Sequence, residues 1–316
     1  MNVIITGGCG FIGSFAVKKY LEEGHNVLNI DKLTYASNPK RIKKNKNYFF
    51  VKSDISNPAL YEVINKFNPN LIINFAAETH VDNSIKKPSD FIHSNIIGTY
   101  NLLEISKKIW SKNKKKIFKF IQISTDEVFG SVSNNKPFDD KSNFRPNSPY
   151  SSSKAGAELL ARAWNKTYGL PVIITYCTNN FGPSQDKEKF IPKILDNLIK
   201  NKKIPIYGNG KNKREWIYVE DHINYIYEIS KKKNNDLRYF ISDGNLYSNL
   251  DLLKKIVKIY NKITNKKIAF KDCFKFIKDR PGHDYKYQLK LSKNIKKKIN
   301  NFDANLIKTI EWFLIN

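Results

Sequence analysis

Residues 2–13 read Asn-Val-Ile-Ile-Thr-Gly-Gly-Cys-Gly-Phe-Ile-Gly. The first five are mostly apolar and predict a short buried strand. Gly7, Gly10 and Gly13 follow and lead into a helical pattern that ends near Glu23-Gly24. A glycine-rich turn between a strand and a helix lets backbone N–H groups approach a pyrophosphate, and the helix N-terminus favours its charge. The stretch therefore predicts a dinucleotide-binding turn.

The next strand supports this interpretation. Val27 to Ile30 is apolar and closes on Asp31, roughly 20 residues after the glycines, where a carboxylate binds ribose hydroxyls and repels a 2′-phosphate. The glycine spacing is G-x-x-G-x-x-G rather than G-x-G-x-x-G, and a purely structural turn is the alternative. Lys32, beside the acid, would suit NADP, but Asp31 favours NAD as the cofactor.

Strand and helix patterns alternate through the first half of the chain, which is typical of a doubly wound parallel sheet. We predict an α/β protein with a Rossmann domain over residues 1–180, with returns to it near 210–235, and a smaller α/β substrate-binding lobe over 181–316. The expected strands of the first half lie near residues 48–51, 71–74, 118–123 and 172–175, and the expected helices near residues 58–67, 88–109 and 149–168.

A second group of residues predicts chemistry at the edge of this sheet. The run Ser124 to Gly130 follows a predicted strand and places Asp126 beside Glu127, where open α/β sheets bind ligands. Tyr150 and Lys154 lie one helical turn apart and share a face. An ammonium beside a phenol lowers the pKa of the phenol and makes it a base. An adjacent carboxylate pair is often only a helix cap or a surface pair, but here it accompanies the Tyr-Lys pair.

These motifs give the chain a family resemblance that extends over nearly its whole length. It resembles the extended short-chain dehydrogenase/reductase family and, within it, the dTDP-glucose 4,6-dehydratases. The adjacent Asp-Glu pair is the discriminating feature, because related sugar epimerases and decarboxylases lack it. The matching stretches are residues 6–14, 31–36, 74–82, 124–130, 148–150 with Lys154, 179–183, 214–222 and 279–284.

The resemblance implies a reaction that oxidises carbon 4 of the sugar, eliminates water across carbons 5 and 6, and reduces carbon 6. It implies that Tyr150, assisted by Lys154, takes the hydroxyl proton, and that Thr125 hydrogen-bonds the same oxygen. Glu127 is then the base for the carbon 5 proton, and Asp126 is the acid for the leaving hydroxyl.

The resemblance also implies the binding residues. For the cofactor, NAD, they are Gly7, Gly10, Phe11, Ile12, Gly13, Asp31, Lys32, Thr34, Asp54, Ile55, Ala76, Asn95, Tyr150 and Lys154. For the sugar nucleotide they are Thr125, Asn179, Arg214, Asn249, Arg280 and His283. Arginine is rare in this chain, and its planar pair of donors suits a diphosphate.

Charge, composition and motif content argue against several other classes of protein. The formal net charge is +26, which could attract nucleic acid. The lysines occur as scattered runs without interleaved aromatic residues, at 43–44, 114–116, 231–233 and 296–298, so no specific nucleic-acid function is expected. Three widely spaced cysteines suit a reducing cytoplasm. We find no signal-peptide pattern, no apolar run of membrane-spanning length and no Cys/His metal motif.

Two questions stay open in the sequence. UDP-glucose is the alternative substrate, and Tyr285-Lys286 stands where close relatives usually carry two arginines, near the expected nucleotide region. A sugar-nucleotide 4-epimerase or decarboxylase is the less favoured activity. The resemblance further implies a homodimer, paired through the helices near Pro88–Ile109 and Pro149–Tyr168.

Overall fold

The computed structural model of the protein describes residues 1–113, 117–132, 136–233, 235–296 and 301–316. Among them, seven strands form one sheet in which every pair of neighbours is parallel, in the order β3-β2-β1-β4-β5-β6-β10. These strands are β1 (Asn2–Thr6), β2 (Asn26–Asp31), β3 (Tyr48–Lys52), β4 (Leu71–Asn74), β5 (Lys119–Ile123), β6 (Val172–Cys177) and β10 (Arg238–Ile241). The order is that of a doubly wound Rossmann sheet, as predicted.

Helices cover both faces of this sheet and leave two apolar cores. Ile4 and Ile72 lie in one core, while Val3 and Ile5 lie in the other, because successive strand residues point to opposite faces. The helices of the first core are α2 (Leu60–Phe67), α5 (Gly98–Asn113) and α6 (Pro149–Tyr168). The helices of the second are α1 (Phe11–Glu22) and α8 (Val219–Lys231).

The chain leaves the large sheet after β6 and returns to it through α8 and β10. Between and after these segments it builds a three-stranded sheet in the order β11-β9-β7 and a parallel pair, β8 with β12. The strands are β7 (Asn179–Phe181), β8 (Ile204–Tyr207), β9 (Lys213–Tyr218), β11 (Asn245–Ser248) and β12 (Phe274–Ile277). They share a third apolar core with α7 (Phe190–Ile199), α9 (Asn249–Thr264) and α10 (Phe302–Ile315).

Three features of the first half were not predicted from the hydrophobic periodicity of the sequence. A short helix α3 (Val81–Lys86) and the helix α4 (Pro88–Phe91) precede α5, and residues 92–97 form a π-helical segment that joins α4 to α5. A 3₁₀ turn, Asp126–Phe129, follows β5. The predicted strands and helices of the first half otherwise begin and end within about two residues of the observed ones, except that the helix predicted to end near Ile109 continues to Asn113.

Of the four lysine runs, residues 114–116 and 297–298 lie outside the described residues. Lys43 and Lys44 are exposed, and Lys231 ends α8. In the part of the chain that the structure describes, we find no helix long and apolar enough to cross a membrane.

Candidate active site

A cavity of about 340 Å³ opens at the carboxyl ends of β1, β2, β4, β5 and β6. This is the edge at which a doubly wound sheet binds ligands, at the reversal of strand order between β1 and β4. The first-half motifs converge here. Gly7, Asp31, Ala76, Thr125 and Lys154 all line this one space.

The glycine turn fits against the neighbouring backbone so closely that side chains are excluded. Gly7 has φ +68°, and a Cβ there would lie 2.8 Å from the Ala76 Cα. A Cβ on Gly13 would lie 2.2 Å from the Gly7 carbonyl oxygen. Helix α1 begins directly after the turn, and Phe11, Ile12 and Gly13 of its first turn line the cavity. Free N–H groups at a helix start attract a phosphate, so the turn fits a pyrophosphate.

Asp31 ends β2 and lies buried at the cavity wall. One carboxylate oxygen accepts from the Cys9 N–H at 2.9 Å, and the other from the Leu33 N–H and the Ser37 hydroxyl. Each carboxylate oxygen can accept two bonds, so the oxygen on Cys9 has capacity for a ribose hydroxyl. The carboxylate therefore suits a cofactor with an unmodified ribose.

The neighbouring lysine is held by acidic partners. Lys32 Nζ lies 3.1 Å from a Glu78 carboxylate oxygen and 3.7 Å from one of Asp54, and it donates to the Ser94 hydroxyl at 3.3 Å. Two carboxylates offset its charge. A 2′-phosphate would have to approach these carboxylates, so the arrangement favours NAD over NADP.

The 3₁₀ turn after β5 presents the two adjacent carboxyl groups. The Thr125 hydroxyl accepts from the Glu127 N–H at 3.3 Å and donates to Asp126 Oδ1 at 3.2 Å. Val128 and Phe129 are fully buried and anchor the turn in the core. Asp126 Oδ2 is buried without a hydrogen-bond partner among the described residues. A buried oxygen beside a cavity and without a partner is suited to bind a substrate.

Burial separates the titration of the two carboxyl groups. The pKa of Asp126 is raised well above its ordinary value, by burial first and by the negative charge of Glu127 second. Burial also raises the pKa of Glu127, but the positive charges of Arg280, Arg214 and Lys189 oppose it. One member of the pair thus favours the protonated form more strongly than the other, which is the arrangement of an acid beside a base.

Tyr150 and Lys154 lie in the first turns of α6, which begins with a capping box between Ser148 and Ser151. Lys154 Nζ is buried and donates to the Ile123 carbonyl at 2.6 Å, and burial lowers the pKa of Lys154 to about 8. The sequence predicted that the ammonium of Lys154 lowers the pKa of Tyr150, and this prediction is wrong. Burial, and then the charge of Glu127, raise the pKa of Tyr150 well above its ordinary value.

Two residues assigned to the cofactor do not line the cavity, although the other twelve do. Asp54 faces Lys32, and its other carboxylate oxygen accepts from the Ser56 N–H and hydroxyl. Asn95 bonds both the N–H and the carbonyl of Glu78 and donates to the Ser153 hydroxyl at 2.8 Å. Both side chains thus lie one layer behind the wall and hold residues that do line it.

The residues assigned to the sugar nucleotide divide in the same way. Thr125 and Asn179 line the cavity, whereas Arg214, Asn249, Arg280 and His283 do not. Arg214 is buried, donates to the Asp284 carbonyl at 2.9 Å and stacks on the Tyr287 ring at 4.2 Å.

The other three residues that do not line the cavity are bonded to groups within the chain. Arg280 lies 3.5 Å from Asp82. A ring nitrogen of His283 lies 2.6 Å from an Asp279 oxygen. The Asn249 N–H donates to the Asn212 carbonyl.

The cavity also has walls that the sequence reasoning did not identify. They include Glu78, Asn180, Gln185, Lys189, Phe190 and Trp216. Lys189 donates to the carbonyl and hydroxyl of Thr79 at 3.2 Å. In a lysine-rich chain nothing in the local pattern marks this one lysine. Trp216 lies two residues from Arg214 on β9, so the two side chains share one face of the strand. This alternation was the one signal from which Trp216 could have been predicted. Among the described residues, no group of His, Cys, Asp and Glu could hold a metal.

Comparisons with known proteins agree with this geometry. Residues 4–308 match the model of the GDP-mannose 4,6 dehydratase family. The dTDP-glucose 4,6-dehydratase of Haemophilus influenzae is 40% identical over 334 residues, covering 100% of this chain and 98% of that protein. The crystal structure of the dTDP-glucose 4,6-dehydratase from Bacillus anthracis in complex with NAD is 37% identical, with a TM-score of 0.88 and coverage of 100% and 97%.

The UDP-glucose 4-epimerase of Thermotoga maritima has a similar fold but a more distant sequence. Its TM-score is 0.87 and its identity is 25%, with coverage of 100% and 99%. Epimerases and dehydratases thus share the architecture, and sequence identity separates them. The predicted resemblance is confirmed: the chain belongs to the GDP-mannose 4,6 dehydratase family, in which dTDP-glucose 4,6-dehydratases match it over its whole length.

Proposed function

We propose that this protein is an NAD-dependent dTDP-glucose 4,6-dehydratase that forms dTDP-4-keto-6-deoxyglucose. The observation that carries the proposal is one cavity lined by two sets of groups, Tyr150 with Lys154 and Asp126 with Glu127. The first set suits oxidation of an alcohol and the second suits elimination of water. The relatives that match the whole chain at about 40% identity carry this activity in their names.

NAD fits the glycine turn, the helix start and Asp31 described above. When bound, it supplies a reversible hydride acceptor. The protein would hold it through the first-turn N–H groups of α1, through Asp31, and through Lys154, which lies at the far end of the same cavity.

The protein groups then move three protons. Tyr150 accepts the proton of the carbon 4 hydroxyl, and Thr125 holds that oxygen. A ketone at carbon 4 makes the carbon 5 proton acidic, and Glu127 accepts it. Asp126 donates its proton to the carbon 6 hydroxyl, which leaves as water. The hydride taken from carbon 4 then reduces carbon 6, and Glu127 returns its proton to carbon 5, which gives the 4-keto-6-deoxy product.

The directions of the two carboxyl pKa shifts support these roles. The pKa of Asp126 is raised well above its ordinary value by burial and then by the charge of Glu127, so Asp126 favours the protonated form and is suited to be the acid. The positive charges of Arg280, Arg214 and Lys189 favour the ionised form of Glu127 and suit it to be the base. Tyr150 must be ionised to accept the carbon 4 hydroxyl proton, and the ammonium of Lys154 favours that ionised form against the burial that raises the pKa of Tyr150.

Turnover without net formation of NADH tests the proposal. Purified protein should convert many equivalents of dTDP-glucose while the absorbance of free NADH stays constant. NADH accumulating in proportion to product would indicate an ordinary dehydrogenase instead. An epimerized hexose with its carbon 6 hydroxyl retained would indicate a 4-epimerase.

The nucleotide is tested by comparing kcat/KM for dTDP-, UDP- and GDP-glucose. We propose dTDP-glucose because the named relatives with high identity act on it. One methyl group in a pocket contributes only about 1–3 kcal/mol of discrimination, so a preference of about 10- to 100-fold over UDP-glucose is expected. A preference for UDP-glucose would overturn the nucleotide and leave the reaction.

We also propose a cytoplasmic homodimer. The three cysteines are free thiols, as in a reducing compartment. Apolar side chains are exposed on the adjoining helical segments from α4 to α6: Ile92, Ile97, Tyr100 and Leu159 are 45–52% exposed. Light scattering should give twice the 36.7 kDa chain mass, and Leu159→Glu should reduce it. A monomer at micromolar concentration would contradict the dimer.

A further inference from the structure

We propose that Arg41 is a positioning residue that retains NAD during turnover by tying together two loops that line the cavity. The inference rests on the proposed function, because a cofactor that is regenerated within each cycle must not leave between the two redox steps. Arg41 does not line the cavity itself, and its guanidinium acts through the loops that it joins.

Arg41 makes four hydrogen bonds to three separate segments. Nη1 donates to the Cys9 carbonyl in the glycine turn and to the Ala36 carbonyl in the β2–β3 loop, each at 3.0 Å. Nη2 donates to the Ser184 carbonyl at 2.7 Å and to Asp186 Oδ1 at 3.1 Å, in the loop between β7 and α7. The side chain is only 9% exposed, so solvent screens these bonds little.

Both joined loops are walls of the cavity. Thr34, Ala36 and Ser37 line it from the β2–β3 loop, and Gln185 and Asp186 line it from the β7–α7 loop. The start of the first loop is fixed to Asp31 through the Ser37 hydroxyl. Ala36 of the same loop is held by Arg41.

A dinucleotide on the glycine turn therefore lies beside a loop that Arg41 holds from behind. The Cys9 carbonyl in that turn accepts from the Asn38 N–H at 2.8 Å as well as from Arg41. Separation of the two loops would break both bonds of Nη2. Release of the cofactor should thus be slower than it would be with unconnected loops.

Only arginine can make this connection. The guanidinium has five N–H donors in a rigid plane, and here two nitrogens serve four acceptors that lie on different segments. A lysine ammonium at this position has three donors on one atom and would lose at least one of the four acceptors. Tyr35 adds a weaker link, from its hydroxyl to a Glu188 oxygen at 3.3 Å, because that side chain is 66% exposed.

The rate of NAD dissociation measures the proposal without reference to activity. Protein loaded with labelled NAD is mixed with excess unlabelled NAD, and the label that stays bound is followed over time in the absence of sugar nucleotide. We expect Arg41→Ala to raise the dissociation rate about 10- to 100-fold, the range for loss of hydrogen bonds to a charged group. Arg41→Lys and Asp186→Asn should give intermediate increases, and Tyr35→Phe a smaller one.

Lys40→Ala is the matched control. Lys40 precedes Arg41 in the short 3₁₀ turn Pro39–Arg41, is exposed, and its side chain makes no hydrogen bond or ion pair within the described part of the chain. An unchanged dissociation rate in Arg41→Ala would overturn the proposal, as would equal increases in Arg41→Ala and Lys40→Ala, which would indicate a general effect of positive charge. If Arg41→Ala does not fold, Asp186→Asn decides between the same outcomes.

The two proposals fail in different ways. A wild-type protein that binds NAD but does not dehydrate dTDP-glucose would contradict the proposed function alone. A dehydratase whose Arg41→Ala variant releases NAD at the wild-type rate would contradict only the role of Arg41. In the expected case the variant also releases free NADH during turnover and regains activity when NAD is added.

Discussion

The cavity has two sides that differ in how their residues come together. On the side built from the seven-stranded sheet, each of the motifs that follow β1, β2, β4 and β5 contributes residues to one space. On the side built after residue 180, the four residues assigned in advance to the substrate lie outside that lining. Lys189, Phe190 and Trp216 line it there instead.

The difference follows from the backbone. Parallel strands end at a common edge, so residues that follow different strands converge whatever their distance in sequence. The second side is assembled from a short strand and from the loop around residues 184–189. There, which side chains meet depends on loop conformations that no periodicity encodes.

The largest effects on catalysis are expected from substitutions on the side of the cavity that the seven-stranded sheet builds. Asp126→Asn and Glu127→Gln should slow elimination by about 10²- to 10⁴-fold while oxidation at carbon 4 continues, because Tyr150 is intact. Tyr150→Phe should suppress oxidation itself. Single-turnover absorbance of enzyme-bound NADH distinguishes the two cases, since it should rise and persist only in the carboxyl variants.

The control for this series is Glu62→Gln, an exposed carboxyl group on α2. It should leave both steps at their wild-type rates. Water loss at the wild-type rate in both Asp126→Asn and Glu127→Gln would remove the assignment of the pair.

The sequence predicted the sheet side well because its signals are local. The glycine turn, the acid at the end of β2 and the Tyr-Lys pair on α6 each depend on neighbours within a few residues. Gly7 illustrates this: its left-handed φ and its contact with Ala76 exclude any side chain. A local constraint of this kind can be recognised from a single sequence.

What the sequence could not predict depends on contacts between distant segments. The pKa of Tyr150 is one case. An ammonium one turn away suggested a lowered value, but burial and the charge of Glu127 raise it, and Lys154 donates to the Ile123 carbonyl. Asn95 is another, since it bonds Glu78 and Ser153 rather than lining the cavity. Both outcomes depend on packing between β5, α6 and the loop after β4.

A smaller effect is expected from the second side, and it should appear in KM rather than kcat. The charges of Arg214 and Arg280 oppose the rise that burial causes in the pKa of Glu127, although neither residue lines the cavity. If they hold the diphosphate as proposed, Arg280→Lys and Arg214→Lys should raise the KM for the sugar nucleotide by about 10-fold, because lysine lacks the planar pair of donors.

Steady-state kinetics with Arg162→Lys, on α6, as the matched control would check this expectation. A fall in kcat with unchanged KM would place these arginines with the sheet-side groups, and the two sides would no longer differ in function. An unchanged KM and kcat would show that Arg214 and Arg280 only support the fold.

The last prediction concerns stability and not catalysis, and it involves a carboxyl group that lies behind the sheet side of the cavity. Glu158 is fully buried on α6, accepts from the Tyr176 hydroxyl and from the Ser124 hydroxyl at 3.3 Å, and has its pKa raised to about 7 by burial. A carboxyl pKa that is higher in the folded state stabilises the fold below about pH 4.5 and loses that contribution as pH rises through about 7. A difference of about 2.5 pKa units corresponds to at most about 3 kcal/mol.

Glu158→Gln keeps the shape of the side chain and removes its titration. Urea unfolding between pH 4.5 and 8 should therefore show wild type losing stability relative to the variant as the pH rises, with most of the change between pH 5 and 7. Glu62→Gln, exposed on α2, should run parallel to wild type. A constant difference between wild type and Glu158→Gln would mean that Glu158 stays in one protonation state throughout. Glu158 would then make no contribution to the free energy of unfolding that depends on pH.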